Sequence, residues 1–158
     1  MEGIKAKIRM IIEIDQSGKL EATNKQTVIA FSNGKRKSIC ISGKEKRELQ
    51  EFFRRIGKPR MYIYRVFAIL IFLLIRDELK GIDGMVIDRE YPGWDHLIKD
   101  FLLREIRRIR ANFDPHCISF HEVGKQSGSH FAAYGVNCMK KEPDITVRAD
   151  DVLRHLVN

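Results

Sequence analysis

The run Arg9-Met10-Ile11-Ile12-Glu13-Ile14-Asp15-Gln16-Ser17-Gly18 constrains this chain more than any other stretch. Its β-branched residues lose little on extension and pack well on a pleated surface, so it reads as a strand. Alternation places Met10, Ile12 and Ile14 on one side and Ile11, Glu13 and Asp15 on the other. Both sides are largely apolar, which argues for a covered strand in the middle of a sheet with Asp15 at its rim. An ionised carboxylate at such a place is costly unless something pairs with it, and a metal ion is one such partner. The alternative for Asp15 is an Asx-type turn onto the backbone of Ser17-Gly18.

A second apolar run, Gly84-Met85-Val86-Ile87-Asp88, also ends on an aspartate. Its brevity and the flanking Gly84 and Pro92-Gly93 mark another strand. Between the two lie strands at Thr27–Phe31 and Lys37–Ile41, joined through Ser32-Asn33-Gly34-Lys35, where Asn-Gly signals a hairpin. Ser42-Gly43-Lys44-Glu45 has capping-box spacing and opens a helix carrying Leu49, Phe52, Phe53 and Ile56 on one face. A more apolar helix runs from about Met61 to Leu79. Its core, Val66–Ile75, is bracketed by Arg65 and Arg76 and is only half the ~20 residues a bilayer needs, so it is expected inside the protein. Were its apolar surface exposed, it would instead drive a homo-oligomer.

After Asp88 an amphipathic helix is expected from about Trp94 to Arg110, then a strand at Cys117–Val123, a loop at Gly124–Ser129 and a short helix at His130–Val136. Ile145–Val147 is a further strand candidate, and Asp150–Val157 a final helix. Strands that alternate with helices demand parallel pairing with right-handed crossovers. The expectation is therefore one α/β domain with a mixed five-stranded sheet, the first strand beside the fourth, and Asp15 and Asp88 neighbours at its carboxyl edge. Open α/β sheets tend to hold ligands there. Two adjacent carboxylates repel, and magnesium or manganese relieves this with a preference for oxygen ligands.

This order of elements resembles the ribonuclease H-like superfamily. Ile14-Asp15-Gln16-Ser17-Gly18 looks like that family's first-strand motif and Val86-Ile87-Asp88 like its fourth. Gly124–Tyr134 is similar in layout to the segment that leads into the family's last, ligand-bearing helix. The resemblance spans about residues 8–136 and implies a nuclease that hydrolyses phosphodiester bonds of RNA, DNA or a hybrid with Mg2+ or Mn2+. It implies Asp15, Asp88 and His130 as catalytic metal ligands. Histidine in place of the usual acid is similar to the endonuclease domain of the bacterial excision-repair incision protein and to Argonaute-type slicers. Type 1 members also place a glutamate early in the first helix, a position Glu48 fits, with Glu45 and Glu51 as neighbours.

Ser17, Lys125, Gln126, Ser127 and Ser129 sit in the loops flanking the expected site and suit phosphate oxygens. His121 and Glu122, adjacent on one strand, point to opposite faces, so at most one meets the site. Glu122-Val123-Gly124-Lys125 is one residue too long for the E-x-K strand of the other large nuclease class. For Asp88 the rival role is pairing with Arg89 or an arginine of the neighbouring helix, or sharing a loop with Asp83; for His130 it is a helix cap or a hydrogen bond from a partly buried side chain.

The excess of 29 Lys+Arg over 21 Asp+Glu, a net charge of +8, favours a polyanionic partner or an acidic membrane surface. Cys40, Cys117 and Cys138, an odd set without CxxC spacing, give neither a disulfide framework nor a zinc site and fit reduced thiols in a cytoplasmic protein that has no membrane partner. The alternative function is a non-catalytic basic module of the same fold that binds nucleic acid or serves in assembly.

Overall fold

In the computed structural model, residues 9–122 and 141–157 are described. The isoleucine-rich run is strand β1 (Ile11–Ser17). β2 (Thr27–Ser32) and β3 (Arg36–Ile41) fold back beside it, with Gly34 in the turn at φ +95° and the Asn33 side chain accepting the Lys35 amide. β4 (Gly84–Asp88) lies on the other side of β1 and parallel to it, with Ile14 opposite Ile87. β5 (Ile118–His121) adds parallel to β4. A sixth strand, β6 (Ile145–Val147), adds parallel to β3, so the order is β5-β4-β1-β2-β3-β6. The expected five strands become six because β3 is not an edge: its outer side takes up the three residues of β6.

The register assigns every strand residue to a face. Ile12, Ile14, Ile29, Phe31, Ile39, Ile41, Met85, Ile87, Ile118 and Phe120 share one face and are buried. The helices α1 (Gly43–Arg55), α2 (Met61–Ile75), α3 (Asp95–Ile106) and α4 (Ala149–Leu156) contribute Leu49, Phe53, Val66–Ile75, Ile98, Leu102, Ile106, Val152 and Leu156 to the same core. Each such side chain contributes about 2 kcal/mol relative to exposure. The apolar stretch of α2 is consumed here, which answers how so greasy a helix is kept from water. No helix among the described residues is long and apolar enough to cross a membrane.

The opposite face differs from expectation. Ile11 is 52% exposed and Glu13 is exposed, so β1 is central in the sheet without being apolar on both sides along its length. This second face carries small and polar groups, with Val28, Ala30 and Cys40 as a separate buried cluster and Asp15 beside Ala30.

Helix ends also shift. α2 stops at Ile75, and Leu79–Gly81 is a 3-10 turn, because Asp77 and Glu78 turn out to meet Lys37. α3 ends at Ile106 rather than Arg110, where the Arg110 guanidinium donates instead to the carbonyls of Leu79 and Ile82. The capping box at Ser42 is half formed. Ser42 Oγ accepts the Glu45 amide, but the Glu45 carboxylate takes the Ala149 amide at 2.8 Å and ties α4 to α1.

Candidate metal centre

Asp15 and Asp88 are the next residues along from the Ile14–Ile87 pair, and both project on the face away from the helices. Asp15 is 4% exposed and accepts the amide of Gln16 through Oδ1 at 2.8 Å. That bond orients the carboxylate on its own backbone while β1 stays extended.

Beyond Asp88 the chain leaves the sheet in a tight curl. The Arg89 amide donates to His121 O, and the Glu90 amide donates to Asp88 O, both at 3.0 Å. That curl returns the Glu90 side chain to Asp88, with which it shares a hydrogen bond. One ligand atom from each of Asp15, Asp88 and Glu90 lies within 4.8 Å of the others. Burial pushes the Glu90 carboxyl up to about 8, and its hydrogen bond with Asp88 and the charges of Asp88 and Asp15 act in the same direction, against the nearby Lys19 ammonium. Carboxyls crowded in this way are relieved by a hard cation, for which three oxygen donors are suitable ligands.

Arg89 pairs with Asp95 at 2.9 Å and donates to Phe120 O at 3.1 Å. Asp83 accepts the Met10 amide at the amino end of β1, away from the cluster. His121 sits opposite Asp88 in the β4–β5 register, which puts it on the face of the acids, exposed; Glu122 follows the end of β5.

Of the residues singled out by sequence, Asp15 and Asp88 are brought together. Glu48 lies exposed on α1 and is not part of the group. Ser17, half-buried, closes β1 two residues past Asp15. His130, Lys125, Gln126, Ser127 and Ser129 fall outside the described residues. Glu90 was missed; its signal was the Asp-x-Glu spacing where β4 ends, open to notice but not to assignment while the curl after Asp88 was unknown.

The helix side of the same strand end is a network of buried polar groups and rings. Gln16 Nε2 donates to Tyr91 Oη at 2.9 Å, and Tyr62 Oη donates to Leu20 O at 2.7 Å. Lys46, fully buried on α1, donates to Lys19 O, Ala22 O and Thr27 Oγ1, and so holds the loop that follows β1.

Comparison with protein-family models, curated proteins and solved structures gives no match.

Proposed function

We propose that this chain is a divalent-metal-dependent nuclease of the ribonuclease H-like type that hydrolyses phosphodiester bonds of RNA or DNA. The observation that carries this reading is the convergence of Asp15, Asp88 and Glu90 within 4.8 Å at the carboxyl ends of two adjacent parallel strands. The strand order supports it, since β1 lies between antiparallel β2 and parallel β4 as the resemblance requires. The net charge of +8 fits a polyanionic substrate.

Asp15, Asp88 and Glu90 would hold Mg2+ or Mn2+, with His130 completing the set. Such an ion, when bound, activates a water and neutralises charge on the leaving oxygen. The chain's own contribution is placement. The parallel register fixes Asp15 against Asp88, the Gln16 amide orients the Asp15 carboxylate, and the curl at Glu90 closes the third side. Lys19, close enough to act on Glu90, brings positive charge to the rim where a phosphate would lie. Ser17, Lys125, Gln126, Ser127 and Ser129 are assigned to phosphate oxygens.

The test is cleavage of labelled RNA, DNA and hybrid strands with manganese, with magnesium and with chelator, for the parent and for Asp15→Asn. Expected are metal-dependent products and a loss of at least about a hundredfold in the variant, the scale of removing a group that stabilises transition-state charge. A variant that cuts like the parent overturns the assignment. Salt-sensitive nucleic-acid binding without cleavage, indifferent to chelator and to Asp15, would identify a basic binding module instead.

A further inference from the structure

The connection between β4 and α3 carries the acidic residue Glu90 and, four residues later, the only tryptophan of the chain, Trp94. We infer that Trp94 is a stacking platform for an unpaired base of a single-stranded nucleic acid whose phosphate lies at the acidic cluster; this rests on the hydrolytic reading of that site.

Trp94 is 41% exposed, unusual for the largest apolar side chain beside a well-filled core. Its indole lies flat on Tyr64 of α2, with centroids 4.5 Å apart and planes at 20°. Tyr64 meets the edge of Tyr91 at 6.1 Å, and Tyr91 meets Phe67 at 5.4 Å. The indole is therefore backed on one side by rings that lead into the core, while much of its surface remains in water. Such a ring costs little entropy on binding, because its rotamer is already fixed.

The platform is also joined rigidly to the acids. The Trp94 amide donates to Tyr91 O, and Gly93 sits at φ +90°, so the chain from Glu90 to Trp94 makes a turn in place of a free loop. The Tyr91 hydroxyl accepts from the side chain of Gln16, the neighbour of Asp15. Four residues span at most about 14 Å, a reach of a few nucleotides of an extended strand. Positive charge flanks the path: Lys19 beside Glu90, and Arg60 one helical turn before Tyr64.

A paired base has both faces covered by its neighbours in the duplex, so an exposed ring selects unpaired bases, and it does so without regard to sequence. The chemistry is shared by RNA and DNA strands.

Because Trp94 is the only tryptophan, emission excited at the red edge of indole absorption, where tyrosine does not absorb, reads this residue alone. The full chain with chelator, and Asp15→Asn in magnesium, are titrated with short oligothymidylate, with oligouridylate and with a duplex, and affinities are measured in parallel by anisotropy of labelled strands. Saturable quenching by a single strand and not by the duplex is expected, and the relative response to thymidylate and uridylate tells DNA from RNA. Trp94→Ala should bind single strands roughly tenfold or more weakly, and Trp94→Phe, which keeps a ring on Tyr64, should stay near the parent. Absence of quenching in both forms, quenching by the duplex alone, or parental affinity in Trp94→Ala overturns the platform even if the chain cuts nucleic acid. If the chain cuts nothing while oligothymidylate quenches it and Trp94→Ala binds labelled single strands at least about tenfold more weakly by anisotropy, the hydrolytic reading falls and the platform stands.

Discussion

Gln16 donates to the hydroxyl of Tyr91 across 2.9 Å, linking the residue after Asp15 to the residue after Glu90. The two acids come from separate strand ends, and this bond, on the helix side of the sheet, braces the backbone that carries them. Leu20 adds its amide to the same hydroxyl at 3.5 Å. Burial holds the phenol well above its ordinary range, so it remains protonated at any working pH.

Tyr91→Phe keeps the ring and removes the acceptor. Gln16 Oε1 already lacks a protein partner among the described residues, so the variant leaves the whole buried amide poorly satisfied. A loss of about 1–2 kcal/mol is expected in urea unfolding, along with weaker manganese binding, because Asp15 and Glu90 lose their common brace.

Glu90→Gln preserves shape and removes the carboxyl group that would ionise against a bound cation. Manganese affinity measured by calorimetry should fall at least about tenfold, since even partners of metal ligands commonly cost that much. Glu48→Gln, exposed on α1, should leave that affinity unchanged. Equal affinities for parent and Glu90→Gln would remove Glu90 from the ligand set.

Lys46 makes a pH-dependent contribution with a definite sign. Burial lowers its ammonium from the ordinary 10.5 to about 8, with the Glu21 charge opposing. Between those values the unfolded chain binds more protons than the folded one, so this group makes folding more favourable as pH rises through that window and adds no slope below it. Lys46→Met should lose the slope in denaturant titrations made below about 8 and near 10. It should also destabilise by about 2 kcal/mol at neutral pH, because Lys19 O, Ala22 O and Thr27 Oγ1 lose their donor.

Cys40 is 5% exposed with its thiol 3.0 Å from Gln26 Oε1, and burial raises the thiol above its ordinary value. A raised value means less thiolate at every pH below it, and thiolate is the reactive form. Alkylation of the native chain followed by peptide mass spectrometry should leave Cys40 unmodified, and urea should expose it. Rapid native labelling at Cys40 would mean that the Val28-Ala30-Cys40 cluster opens readily.

Much of this architecture was legible because local chemistry and global packing agree. The β-branched runs, the Asn33-Gly34 turn and the aspartate ends of two strands each constrained the fold independently, and parallel pairing of β1 with β4 follows from the intervening helices. β6 was visible as a short run but not as a partner of β3, since three residues carry no register information. Glu90 was hidden for a related reason: alternation describes a strand and says nothing about a chain that has left the sheet. Lys46 carried no sign of burial, and only the fold of the Lys19–Thr27 loop supplies its three acceptors. The half-formed capping box shows the same limit, because Glu45 found a better donor far away in sequence.

The pairing of Ile14 with Ile87 sets a parity rule for mutation in β4. One residue inserted or deleted between Gly84 and Ile87 would rotate the strand's end by half a turn, swinging Asp88 into the oily layer beneath the helices and Ile87 out into water. A single substitution along that strand touches one face or the other; a change of frame by a single residue would dismantle the acidic cluster and the core in one stroke.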